Sequence, residues 1–291
     1  LEGRGGDARN VSRLIHNLPK ALGERTVSLL NVRELREWRN GLVKGGLAPA
    51  SADRTARILK ASLNLCAKED LRVTNSMAWR AGLSRLPDSE RPRNTILTDD
   101  QVRRVIAAAY VIDPAYGIWI ETHATTGARS SQIEGLRVCD LQDGASPRLM
   151  MPSSRKGRRR RIERRPVPIP ISLAKSLRLA TADRDPHDAL LQPPVCRRQL
   201  FEWFKRAVAS AGLDPEVVSI YALRHSAIVR MLLAGIPIRA AASVVDTSST
   251  MIERNYSAFI GDHSDALIRR ALLDVGTPAG ANVISMSGAQ A

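Results

Sequence analysis

Cysteine, histidine and aromatic residues are all scarce in this chain, and each scarcity removes a class of protein. Three cysteines in 291 residues, Cys66, Cys139 and Cys196, are odd in number and widely spaced. They make neither a disulfide framework nor a CxxC metal site, which points to a reducing, cytoplasmic setting. The five histidines show no HxxxH or HExxH spacing, so neither a metal nor another cofactor is expected. Aromatic residues amount to 4%, and the tyrosines are Tyr110, Tyr116, Tyr221 and Tyr256. Apolar runs are short: residues 105–112, among the longest, fall far below the ~20 residues of a membrane span, so no membrane partner is expected. No secretory signal opens the chain, which begins "LEGRGGDARN". It starts with Leu1 rather than Met, so the natural start is expected upstream. Acidic residues are in deficit, 29 against 44 Lys and Arg, giving a net charge of +15. Such an excess suits a polyanion, because each neutralised phosphate releases counterions. Arg outnumbers Lys, and its planar fork matches phosphate. A nucleic acid is the expected partner, in preference to charge serving solubility alone.

The pattern along the chain is mainly helical with a small β-sheet, an α+β class. Residues 31–46, "NVRELREWRNGLVKGG", carry Val32, Leu35, Trp38 and Leu42 at helical spacing and end in a Gly pair. Residues 51–70 place Ala56, Leu59, Leu63 and Cys66 on one face, with Ser51 or Asp53 as cap. A third helix is predicted over 74–86. Residues 1–24 then form an N-terminal segment, and 25–88 a helical domain with basic residues between its apolar stripes. Residues 89–97 lie in a proline-containing, aperiodic linker. A domain over 98–275 opens at the cap Thr98-Asp99-Asp100. Three short strands are expected in "RVCDLQDG", "PRLMMPSS" and "RRPVPIP", followed by helices near 172–182, 197–212, 222–234 and 237–261. The tail, 276–291, is Gly-, Ala- and Ser-rich and is read as flexible.

Four stretches carry chemistry. "TTGARSSQIEGLRVCDL" (125–141) puts Arg129 after a glycine turn, at the start of a helix with Ile133 and Leu136 inward. "SSRKGRRRRIERRPVPI" (153–169) puts Lys156 in a hairpin-like turn. "YALRHSAIVRMLLAGIPI" (221–238) puts Arg224 near the start of an amphipathic helix. "IERNYSAF" (252–259) places Tyr256 on a polar helical stretch. This order resembles the tyrosine recombinases, the phage integrase family, over about residues 25–275.

The resemblance implies a helical core-binding domain (25–88) and a catalytic domain (98–275) closing as a clamp on duplex DNA. It implies Tyr256 as nucleophile, Arg129 and Arg224 as the phosphate clamp and Lys156 as the acid. Four protomers would assemble on paired sites, exchanging strands through a 3′-phosphotyrosine, to integrate or excise a mobile element. The residue types suit that chemistry. A covalent ester stores the phosphodiester without water or metal. Two guanidiniums stabilise the charge growing on the non-bridging oxygens, and a Lys, unlike an Arg, donates a proton to the departing oxygen.

Two positions depart from the family pattern. The family's first His slot holds Tyr221, which donates a hydrogen bond but is no ready base near neutrality. The His/Trp slot falls on Asp246, with Val245 or Thr247 one residue away. A carboxylate repels phosphate, so Asp246 is expected to orient Arg129 or Arg224. His225, after the second Arg, is grouped with the DNA-contacting Arg155, Arg158, Arg159, Arg160 and Arg161. Residues 236–256 also look like a helix-turn-helix, with Ala241 or Ala242 in its first helix. A DNA-binding regulator, a recombinase that no longer cuts, and a type IB topoisomerase are the alternatives.

Overall fold

The computed structural model describes residues 8–87, 89, 95–154, 162–192, 195–261, 268–269 and 272–273. These fall into two compact units, divided between residues 93 and 94. Each has its own apolar core.

The first unit is helical. Helices α1 (Ala8–Asn17) and α2 (Lys20–Gly23) precede α3 (Val32–Lys44), α4 (Pro49–Glu69) and α5 (Met77–Gly82). The first two of these lie in the stretch, 1–24, read from sequence as a mere N-terminal segment. Asn31 caps α3 in a reciprocal box with Glu34. Leu35, Trp38 and Leu42 then bury along one stripe against Ala52, Ala56, Leu63 and Trp79. The two indoles are anchored: Trp38 Nε1 donates to the Asn17 carbonyl and Trp79 Nε1 to Asn64 Oδ1, both at 2.8 Å. Two expectations need correcting. Helix α4 starts two residues before Ser51, with Pro49 pre-set at its first turn. Asp53 is therefore an interior residue, and its carboxylate accepts from the Leu86 amide. The third helix is also shorter than 74–86, because Asn75 spends its side chain on the Val27 and Leu30 carbonyls ahead of α5.

The second unit begins at α6 (Asp99–Ile112), capped by Thr98 and Gln101. It continues through α7 (Pro114–Thr126) and α8 (Ser130–Ile133) to an antiparallel sheet of β1 (Leu141–Gln142), β2 (Arg148–Pro152) and β3 (Arg164–Pro168), in that order. Of "RVCDLQDG", only Leu141 and Gln142 pair as strand, since Val138–Asp140 winds as a 3-10 turn. Leu149 pairs with Val167, and both point into the core. The prolines of β3 are tolerated because it is an edge strand, where an absent N–H breaks no ladder. Then come α9 (Ile171–Ala180), α10 (Arg197–Ser210), α11 (Ile220–Leu233), α12 (Ile238–Val244) and α13 (Ser249–Gly261). Tyr116, Ile120, Leu173, Leu177, Phe204 and Leu223 fill the main core. The close crossing of α6 and α7 requires Gly117, whose added Cβ would fall 2.3 Å from the Tyr110 ring. The single helix expected over 237–261 is two, broken at Asp246, which adopts a left-handed φ of 51°.

Candidate active site

The site grows from the end of α7. Gly127 terminates that helix in the left-handed region, at φ 62°, with its amide on the His123 carbonyl at 2.9 Å. A Cβ there would lie 3.1 Å from both Ala227 of α11 and Val245, so glycine allows the turn to nest against them. His123 braces the turn again through its ring, since Nδ1 lies 3.2 Å from the Ala128 carbonyl, which needs a proton on that nitrogen. Burial is the main cause that pushes His123 down to about 3, so the ring is neutral.

Arg129 follows and caps the four-residue α8, too short to include Leu136. Its amide donates to Gln132 Oε1 at 3.1 Å, while Gln132 Nε2 donates to the Pro152 carbonyl at 2.8 Å, tying the turn to the end of β2. The guanidinium extends to Asp246. Its Nη1 lies 2.9 Å from the Asp246 carbonyl, 3.4 Å from Oδ2 and 3.3 Å from Ser154 Oγ. Oδ2 also accepts from the Ser154 amide at 2.8 Å and its hydroxyl at 2.6 Å. Burial pushes the Asp246 carboxyl up, yet Ser154, Arg129 and Arg165 together outweigh it and hold the acid below the usual carboxylate range. The carboxylate is thus engaged with Arg129 and Ser154.

Arg224 lies one turn into α11, 7% exposed. Its Nη1 donates to the Gly127 carbonyl at 2.6 Å, and among the described residues no carboxylate forms an ion pair with it. Burial, and next Arg129, push it down to about 10, with Tyr221, Tyr256 and Asp246 pulling the other way. It remains a cation at neutral pH. Two guanidiniums are thereby gathered in a partly dry pocket.

Helix α13 brings in Tyr256. Ile252 and Tyr256, one turn apart, bury against Ile228, Val229 and Leu232 of α11 and against Val245. Packing thus fixes the phenol ring, which is 5% exposed. Its hydroxyl stands 2.5 Å from Nδ1 of His225. Burial raises the phenol pKa, Arg224 opposes this, and Tyr221 adds to it. His225 is lowered from its ordinary value by burial and then by Arg224. Tyr221, on the outer side of α11, is 49% exposed, with its ring 6.0 Å from that of His225.

Arg129, Arg224, Asp246 and Tyr256 therefore meet in one place, with Tyr221 at its rim. His225, grouped with the DNA contacts by sequence, faces the phenol. Lys156 and Arg155, Arg158, Arg159, Arg160 and Arg161 lie outside the described residues. Sequence reasoning passed over Ser154 and His123. Nothing in "SSRKG" connects Ser154 to a partner 92 positions on, and His123 gave only a His shortly before a glycine turn. The assembly joins a cationic anion-binding pocket to a buried phenol that has an imidazole at its oxygen. Chemically, paired guanidiniums can bind a phosphate oxyanion and a phenol can serve as a nucleophile.

Comparison with known proteins gives a family and a fold. The model of the phage integrase family matches residues 95–259. Among curated proteins none is similar enough to match. Similar solved structures include the Tn1549 transposon integrase in complex with transposon right-end DNA, at 18% identity and a TM-score of 0.66, covering 90% of this chain and 91% of that one. A lambda integrase dimer bound to a COC′ core site has 20% identity and a TM-score of 0.61, covering 84% and 87%. XerH site-specific recombinase bound to a palindromic difH substrate has 15% identity and a TM-score of 0.62, covering 84% and 73%. At these identities the likeness is one of fold.

Proposed function

The chain belongs to the phage integrase family of tyrosine-type site-specific recombinases, and we propose that Tyr256 is its nucleophile, acting on a phosphodiester of double-stranded DNA clamped by Arg129 and Arg224. The phenol oxygen attacks phosphorus, the 5′-oxygen leaves with a proton from Lys156, and a 3′-phosphotyrosine keeps the bond energy, so rejoining needs no ATP. Asp246 is a positioning residue that holds Arg129, and Tyr221 donates a hydrogen bond at the pocket rim. The helical first unit takes the role of a core-binding domain. Arg155 and Arg158–Arg161 contact the DNA backbone. Four protomers on two sites would exchange strands to integrate or excise a mobile element, within the cytoplasm.

The observation that carries this reading is Arg224. A guanidinium partnered by a backbone carbonyl, its pKa lowered first by burial and then by a second guanidinium, is an electrostatic deficit that a phosphate oxygen fills. The test is a suicide substrate, nicked near the attachment site found by footprinting DNA that flanks the gene. A covalent protein–DNA adduct that disappears in Tyr256→Phe supports the recombinase. Retarded DNA without an adduct supports a binding module, and relaxation of a plasmid lacking the site supports a topoisomerase.

A further inference from the structure

Any nucleophilic tyrosine must shed a proton, and in this chain the family's first His slot and its His/Trp slot hold Tyr221 and Asp246, while His225 keeps the position after the second Arg. We propose that His225 is the catalytic base: its Nδ1, 2.5 Å from the Tyr256 hydroxyl, takes the phenol's proton as that oxygen attacks phosphorus. The inference rests on the reading of Tyr256 as nucleophile.

The other groups around the phenol are unsuited to the task. From α11, Arg224 is a cation and Tyr221 is itself a phenol. From the turn between α12 and α13, the Asp246 carboxylate is taken up by the Ser154 amide and hydroxyl and by Arg129. From α7, His123 is neutral with its Nδ1 proton on the Ala128 carbonyl, and its buried Nε2 makes no hydrogen bond to the phenol. Arg129, at the start of α8, is a cation. Among the described residues, His225 alone pairs a lone-pair nitrogen with hydrogen-bond contact to the oxygen. Burial and the Arg224 charge keep its ring neutral at pH 7, which leaves Nδ1 free to accept with the proton on Nε2. Burial makes the phenol reluctant to ionise in the resting protein, so its proton needs an acceptor in contact with it.

The step balances. The Nδ1 lone pair takes the Tyr256 proton, and the freed electron pair of the phenol oxygen forms the bond to phosphorus. The bond from phosphorus to the 5′-oxygen breaks with its electrons on that oxygen, which is protonated by the acid assigned to Lys156. On rejoining, a 5′-hydroxyl returns its proton to the amine assigned to Lys156 as it attacks the phosphotyrosine, and the His225 imidazolium returns its proton to the departing Tyr256 oxygen. One residue serves both directions, as microscopic reversibility requires.

The test is single-turnover cleavage of the nicked suicide substrate across pH 5.5–9, alongside a DNA-binding titration. Wild-type cleavage is expected to rise with pH through the deprotonation of His225, below the ordinary imidazole value, and then level off. His225→Asn and His225→Ala are expected to bind DNA as tightly but to cleave about 10²-fold or more slowly at pH 7. Their rates should climb steadily toward pH 9 as the phenolate fraction grows, and added imidazole should accelerate His225→Ala. A His225→Asn protein that cleaves at the wild-type rate with the wild-type pH profile overturns the assignment, while loss of the adduct in Tyr256→Phe leaves the proposed function standing. No adduct from the wild-type protein overturns both.

Discussion

At the scale of single residues, Asp246 departs from the family pattern, meets Arg129 as expected, and is the most informative side chain to change. It serves the site in two ways, by adopting a left-handed backbone and by receiving Ser154 and Arg129 on one carboxylate oxygen. Asn tolerates that backbone and keeps an acceptor for Ser154, but loses the charge-assisted contact with Arg129. Ala loses the acceptor and tolerates the backbone poorly. Cleavage is expected to fall about tenfold in Asp246→Asn and about 10²-fold in Asp246→Ala, since a catalytic group displaced by an ångström costs that much. DNA affinity should change little in either, as read by single-turnover cleavage beside a binding titration. Because the folded-state acid is held below its ordinary value, its contribution to stability is complete above the unfolded carboxylate pKa and is lost as pH falls through the lower folded value. The Asn variant should therefore lose part of the wild type's advantage at pH 7 and keep none of its dependence on this titration in strong acid.

At the scale of elements, the turn after α7 and the break between α12 and α13 determine whether the guanidiniums and the phenol meet. Gly127→Ala places a Cβ 3.1 Å from Ala227 and Val245 on a left-handed backbone. It is expected to destabilise the second unit by about 1–3 kcal/mol, read by denaturant unfolding, and to slow cleavage beyond the fraction unfolded, because the Gly127 carbonyl holds Arg224. His123 adds a pH signature. With a folded value of about 3 against an ordinary 6.5, the unfolded chain binds a proton between those values that the folded chain does not, so stability falls as pH drops through that window. His123→Asn can present its amide to the same carbonyl without titrating, so its melting temperature should fall less than the wild type's between pH 7 and pH 4.5.

The two breaks differ in how far the sequence announces them. "TTGAR" exposes its turn through a glycine and a conformational rule. "VVDTSST" contains neither Gly nor Pro, so a single helix over 237–261 was the natural reading, and only tertiary packing of Ala241, Val245 and Ile252 reveals the corner. Arg129, Arg224 and Tyr256 were legible because their order along the chain repeats a family pattern. The pairing of His225 with Tyr256 was not, because it joins residues 31 apart through the packing of α11 on α13.

At the scale of the whole molecule, the net charge of +15 separates holding DNA from cutting it. Binding that neutralises several phosphates weakens steeply with salt, with a slope of log affinity against log salt near −0.9 per phosphate. The arginines at 158–161 are a dense run of charge outside the proposed clamp, whereas Arg224 is the buried cation proposed to hold the reacting phosphate. Replacing Arg158, Arg159, Arg160 and Arg161 by Gln is expected to make the slope shallower by up to about 4 and to weaken binding across all DNA sequences alike. Once DNA is saturating, the cleavage rate should recover to near that of the wild type. Arg224→Gln should do the reverse, changing the slope by about 1 or less while reducing cleavage on the order of 10²-fold or more at saturating DNA. Titrations from 50 to 300 mM salt, paired with single-turnover cleavage, measure both quantities. An Arg224→Gln protein that cuts normally once bound would mean that the buried guanidinium serves only the fold, and the pocket's electrostatic deficit would have no part in the reaction.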